Sequence, residues 1–170
     1  GLFAGVWHIR RRGLPFWRFA GLASPGLILG QTVGQIACIL NGDSFGKPTT
    51  LPWAITFTDP QAMAPLGVPL HPVQIYELLA YLAVFLVVWR VSRRAEHDST
   101  VILTYAVGYG IARFAMELFR GDPPVVAGII VPQALSVILV ATALGTWWLQ
   151  WIGLLHGRVP TSGSSRRRAG

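Results

Sequence analysis

Between residues 19 and 40 the chain carries no charged side chain. As a helix that stretch reaches ~33 Å, enough to cross the ~30 Å hydrocarbon layer of a bilayer. A segment that is apolar on every side has no polar face to turn to water. Later stretches share this character. Residues 73–89 carry one acid, Glu77, near their start; residues 101–119 are apolar until Arg113 and Glu117; residues 125–155 are uncharged, with Pro132 marking where the span proper begins. Residues 1–9 are too short to cross alone and read as the end of a further helix, so the chain is expected to begin inside one.

Composition agrees. Of 170 residues, 52% are hydrophobic and 12% charged, where a soluble domain carries about 25% charged, and the mean hydropathy is +0.51. The formal net charge of +7 does not indicate nucleic acid, because the arginines lie in short clusters between apolar runs rather than along one face. The expected fold is all-α: a polytopic helical membrane protein with four full transmembrane helices plus the end of a fifth. Residues 1–158 form this domain, and residues 159–170, rich in Ser, Gly and Arg, form a disordered basic cytoplasmic tail.

The connections alternate in charge. Arg10, Arg11, Arg12 and Arg18 follow the first stretch, Arg90, Arg93 and Arg94 the third, and Arg158 with Arg166 to Arg168 the last. By the positive-inside rule these are cytoplasmic, so the connection over residues 41–72 and the turn at Arg120 face outward. Trp17, Trp89, Trp147, Trp148 and Trp151 lie next to the basic ends, as an interfacial belt would. Gly26, Gly30 and Gly34 recur every four residues and read as a small face for close helix packing.

Several polar residues are not explained by apolar packing. On a helix, Tyr109, Arg113, Glu117 and Arg120 are spaced by four, four and three and form one stripe. An unpaired arginine inside a span costs about 2.5–3.5 kcal/mol on insertion scales, so Arg113 calls for a partner or an aqueous cavity. Two arginines on one face exceed the charge of Glu117 alone, and an anionic headgroup would complete the balance. The alternative is a structural Arg113–Glu117 pair with Arg120 reaching the surface. The outward connection opens with Asn41-Gly42-Asp43-Ser44-Phe45-Gly46, where Gly42 fits a helix C-terminus. Trp53, Ile55 and Phe57 alternate as a short extended piece would. The connection closes with His71-Pro72-Val73-Gln74-Ile75-Tyr76-Glu77, where His71 precedes the helix and is either a cap or part of a site. Cys38 reads as a small packing residue. No metal-ligand spacing, Ser/His/Asp order or phosphate loop is present, so neither metal nor cofactor is expected.

In order, these pieces resemble the prolipoprotein diacylglyceryl transferase family of the bacterial inner membrane. Residues 34–46 resemble its signature, G-R-x-(G/A)-N-F-(L/I/V/M/F)-N-x-E-x-x-G, matching at Gly34, Ala37, Leu40, Asn41 and Gly46. Residues 71–77 resemble its H-P-x-Q-x-Y-E element, and residues 109–122 its Y-x-x-x-R-F-x-x-E-x-x-R-x-D element. Residues 10–14 resemble a basic turn of the family. The resemblance implies transfer of the diacylglyceryl group of phosphatidylglycerol to the lipobox cysteine of a prolipoprotein, with release of glycerol phosphate, at a site facing the outer leaflet. It implies catalytic roles for Arg113 and Tyr109, with His71 as the base for the thiol. Substrate-binding roles fall to Gln35, Asn41, Gly46, Gln74, Tyr76, Glu77, Glu117 and Arg120. The implied partners are phosphatidylglycerol, the prolipoprotein signal-peptide region with its lipobox cysteine, and membrane lipids. Gln35 stands where the family has an arginine, Cys38, Ile39 and Asp43 also depart, and the family's upstream His-Gly-Gly element would precede Gly1. The alternative is therefore a catalytically inactive paralogue or fragment that binds anionic phospholipid or a membrane partner.

Overall fold

The computed structural model describes residues 2–121, 125–126 and 129–153. The chain runs through α1 (Leu2–Arg11), α2 (Phe16–Asn41), α3 (Val73–Ser92), α4 (Asp98–Glu117) and α5 (Val131–Trp151). Three of these, α2, α3 and α5, are long and apolar enough to cross a membrane. The fourth expected span, α4, matches α3 in length but is not among them; it carries Arg113 and Glu117 toward its end. Large apolar side chains such as Leu22, Leu40, Leu135 and Trp148 stand exposed around the outside, which in water would be a large cost and in lipid is none.

The two helix boundaries tied to proline and glycine chemistry fall where expected. Helix α2 ends at Asn41 with Gly42 at φ +66°, a left-handed cap that a Cβ would strain. Helix α5 starts at Val131 with Pro132 in its first turn, where a missing N–H leaves no hydrogen bond unmade.

The fold is not purely helical. In the connection between α2 and α3, β1 (Ile55–Thr56) pairs antiparallel with β2 (Pro69–Leu70), with Ile55 opposite Leu70. A second antiparallel pair joins β3 (Val125–Val126) to β4 (Ile129–Ile130) ahead of α5. Pro48, Pro52, Pro60, Pro65 and Pro69 deny this connection a helix; of the alternating apolar residues, Ile55 pairs with the buried Leu70 and Phe57 bridges Leu66, while Trp53 lies in the turn before them.

Helix α4 is central: it packs against α2, α3 and α5. Alternating chain direction brings the end of α2, the start of α3, the end of α4 and the start of α5 to one end of the bundle. At the opposite end Ser99 Oγ donates to Gln150 Oε1 (3.1 Å). The close helix approaches are made at Gly21, where an added Cβ would lie 2.6 Å from Asp98 O, and at Gly108 and Gly110, against Val84 and Val140. The expected packing face at Gly26, Gly30 and Gly34 does not form: nothing among the described residues lies within 4 Å of a Cβ built there. Gly26 and Gly30 stand on the exposed side of α2, whose buried residues are Gly21, Ser24, Ile28 and Thr32, while Gly34 borders an open cavity instead of a packed neighbour.

Candidate functional site

The single polar stripe expected on α4 is cut short. Helix α4 ends at Glu117, a turn follows, and Arg120 reaches back from outside the helix. What fixes Arg120 is backbone pairing with the connection after α2. Residues Gly46 and Arg120 form a bridge, Lys47 N donates to Phe119 O (2.9 Å), and Gly121 N donates to Phe45 O (3.1 Å). Gly121 allows this approach, since a Cβ on it would lie 2.7 Å from Gly46 O, and Gly46 admits the entry to α3, since a Cβ there would meet His71 and Val73. On the same side Lys47 Nζ donates to Leu118 O (2.8 Å).

Inside this clasp lies a cavity of about 390 Å³, lined by Gln31, Gly34, Gln35 and Cys38 from α2, by Ser44 from the connection after it, by Glu77 and Tyr81 from α3, by Tyr109 and Arg113 from α4, and by Arg120. Arg113 hydrogen-bonds Glu77 through Nη1, and its Nη2 lies 3.4 Å from Glu117 Oε2. Arg120 Nη2 donates to Ser44 Oγ (3.0 Å), and its Nη1 lies 3.8 Å from Glu77 Oε1. Glu77 and Glu117 are both 2% exposed, so neither could stay ionised without these cations. This corrects the charge count made on α4 alone. Glu77, from the neighbouring helix, is the second acid, and two arginines face two glutamates. An anionic guest is not needed for balance. The Tyr109 ring stacks on Tyr105 (centroids 5.8 Å) and meets Tyr81 (5.5 Å), which fixes its place in the cavity wall.

Two smaller hollows of about 220 Å³ adjoin the cavity. One shares Ser44 and Arg120 with it and adds Asp43, Phe45 and Met63. The other, mostly apolar, lies between α4 and α5, with Tyr109 and Arg113 on one wall and Pro132, Leu135, Ser136 and Leu139 on the other.

Of the residues expected in a site, Arg113, Tyr109, Gln35, Glu77 and Arg120 line the cavity, and Glu117 stands directly behind Arg113. The others do not line it. Gln74 is buried and donates through Nε2 to Asp43 O (2.7 Å), holding the connection to the head of α3. Asn41 ends α2, and its carbonyl accepts from Met63 N (3.2 Å). Gly46 serves the clasp. Tyr76 Oη accepts from Trp53 Nε1 (2.7 Å) and lies 3.5 Å from His71 Nδ1. His71 stands edge-on to Phe119 (5.6 Å) and Tyr76 (6.2 Å), outside the cavity lining. Gln31, Cys38, Ser44 and Tyr81 line the cavity without having been expected there. Helical spacing holds the signal for three of them: residues 31, 35 and 38 share a face of α2, and Tyr81 lies one turn beyond Glu77. Asp122 and residues 159–170 lie outside the described residues. Among the described residues no group of His, Cys, Asp and Glu could hold a metal.

Residues 1–149 match the family model described as prolipoprotein diacylglyceryl transferase. Curated proteins named phosphatidylglycerol–prolipoprotein diacylglyceryl transferase match as well. One from Solidesulfovibrio magneticus is 41% identical over 73% of this chain and 46% of its own length. One from Thermosynechococcus vestitus is 36% identical over 80% and 52%, and one from Acaryochloris marina is 32% identical over 94% and 59%. The chain thus spans about half the length of the curated relatives it matches.

Proposed function

The chain belongs to the prolipoprotein diacylglyceryl transferase family, and from that membership we propose that it is a multi-pass protein of the bacterial inner membrane that moves a diacylglyceryl group from phosphatidylglycerol to the lipobox cysteine of a prolipoprotein. The observation that carries this reading is the cavity at one end of the helix bundle, where Arg113, Arg120 and Tyr109 share one lining. In this reading α4 is a fourth span, packed against α2, α3 and α5, and α1 is the end of a fifth. Basic connections lie inside with the C-terminus, and the cavity opens to the outer leaflet.

The chemistry follows from the groups present. A cysteine thiolate of the incoming peptide attacks the glycerol carbon that bears the phosphate. A carbon–sulfur bond forms, the carbon–oxygen bond to phosphate breaks, and glycerol phosphate leaves with the electron pair. Charge accumulates on the departing phosphate, where fixed cations are worth most. Arg113, held by Glu77 and Glu117, cannot follow a moving charge and so acts as a preorganised donor. Arg120, with a serine hydroxyl and a more distant carboxylate, is the freer cation. Tyr109 hydrogen-bonds the lipid, and the apolar hollow between α4 and α5 takes part of an acyl chain. Gln35 hydrogen-bonds the headgroup but brings no charge. His71 is the imidazole at this end of the bundle among the described residues and is the acceptor for the thiol proton once the peptide is bound.

Reconstituted in phosphatidylglycerol vesicles with a lipobox peptide, the protein should yield the thioether adduct by mass spectrometry, and Arg113→Ala should lower its rate by about 10²-fold or more. A second reading, lipid binding without transfer, is favoured by the missing charge at Gln35. It is established if the native protein makes no adduct while Gln35→Arg does. Absence of adduct from both overturns the transferase reading.

A further inference from the structure

Deep in the bundle, Tyr105 Oη of α4 donates to Gln31 Oε1 of α2 (3.3 Å). Counted back from the ends of their helices at Asn41 and Glu117, the two residues lie ~15–18 Å below the clasp, near the middle of a ~30 Å hydrocarbon layer. A hydroxyl and a carboxamide at that depth are costly, and polar side chains inside a membrane are kept for a task. Packing alone does not call for them, since phenylalanine and leucine would fill the same space without the polar cost. What the bond reaches is Tyr109. The Tyr105 and Tyr109 rings lie one helical turn apart, nearly parallel at 13° with centroids 5.8 Å apart. From α3 the buried Tyr81 meets the Tyr109 ring at 5.5 Å. Gln31 is the deepest α2 residue in the cavity lining, and Tyr105 stands outside that lining.

The place of the Tyr109 ring matters because it belongs to two walls. With Arg113 it lines both the polar cavity and the apolar hollow between α4 and α5. A ring that swings toward either space narrows one and opens the other. Stacking holds Tyr109 only as firmly as Tyr105 is held, and the directed bond to Gln31 is what ties Tyr105 to α2. We propose that Gln31 and Tyr105 are positioning residues for the transfer reaction: their hydrogen bond fixes the Tyr105 ring, which in turn keeps Tyr109 in the wall between headgroup and acyl chain. This rests on the reading of the cavity as the donor-lipid site. Both residues act through Tyr109 and neither touches the reacting atoms. Every contact in the relay is made by α2, α3 and α4 of this chain.

The test places 3-fluorotyrosine at position 109 and records its fluorine resonance in phosphatidylglycerol nanodiscs, beside the rate of thioether formation on a lipobox peptide. Tyr105→Phe and Gln31→Met keep the ring and the side-chain bulk but remove the bond. Each should shift or broaden the resonance, lower kcat about tenfold and leave KM unchanged. The double variant should be no worse than either single one, because both remove the same bond. Thr104→Val, which removes a hydrogen bond to Thr100 O within α4, should leave resonance and rate as they are. Two variants on different helices keep the test open if one fails to fold. An unmoved resonance in the variants that fold overturns the positioning role and leaves the transferase reading standing. Additive losses in the double variant overturn action through one bond. A rise in KM from Gln31→Met that Tyr105→Phe does not share assigns Gln31 to the lipid itself and overturns its action through Tyr105. Absence of adduct from the native protein, with the resonance moved in the variants, upholds the hold on Tyr109 and overturns its part in transfer.

Discussion

Glu77 and Glu117 both face Arg113, but they do not hold it equally. Glu77 makes the direct hydrogen bond and also stands near Arg120, whereas Glu117 approaches at 3.4 Å. Removing one partner of a buried ion pair leaves the other charge uncompensated, at about 3–5 kcal/mol. Glu77→Gln should therefore lower stability in detergent by that order, and Glu117→Gln by less. Thermal unfolding followed by tryptophan fluorescence checks this ranking, and the reverse order would show that Glu117 is the principal partner. At this scale the sequence displayed Tyr109, Arg113 and Glu117 plainly, because helical spacing puts them on one face. It hid the pairing with Glu77, which depends on how α3 lies against α4, information that no spacing within either helix contains. His71 shows the same limit: its neighbours in the chain are polar, yet its ring packs on Phe119, nearly fifty residues away in sequence.

Among the elements, helix approach is governed by where a side chain has no room. Gly110 faces α5, and a Cβ there would lie 2.6 Å from a methyl of Val140 and 3.2 Å from Ser136 O. Gly110→Ala should cost about 1–3 kcal/mol through overpacking. By contrast Gly26→Ala, into open space, should be neutral or stabilising by up to about 1 kcal/mol from helix propensity. Equal effects in a paired unfolding measurement would mean that both faces of the bundle are covered. The four-residue spacing of Gly26, Gly30 and Gly34 pointed to a packing face because periodicity reports which residues share a side, not what stands opposite. Helix ends were more legible. Pro72, Gly42 and Pro132 act on their own backbone, so local chemistry alone sets those boundaries. The short ladders were only half legible, since Trp53, Ile55 and Phe57 alternate in plain view but the pairing of Ile55 with Leu70 is non-local.

For the whole molecule, the alternation of basic and base-poor connections makes a directional claim that a single labelling experiment can check. With Cys38 replaced by serine, Thr50→Cys should react with a membrane-impermeant thiol reagent applied to intact spheroplasts, and Ser92→Cys only after the membrane is opened. The opposite pattern would invert the proposed topology. The general architecture was readable because hydrophobic length is a property of each segment taken alone. Which segments surround which was not, and the central place of α4 explains how a helix bearing Arg113 and Glu117 sits among apolar neighbours: Glu117 is buried against the bundle while Ile111 and Phe114 take the outward side.

The clasp of Phe45, Gly46 and Lys47 onto Phe119, Arg120 and Gly121 is made of main-chain bonds. Main-chain bonds depend little on the identity of the residues that make them, apart from the small size required at Gly46 and Gly121. The enclosure can therefore keep its shape while its wall is rewritten. A lineage that exchanged an arginine for Gln35 would alter the cavity wall without dismantling the room. Divergence in such a protein is cheapest at the side chains that line the cavity, and dearest at the small residues that close it.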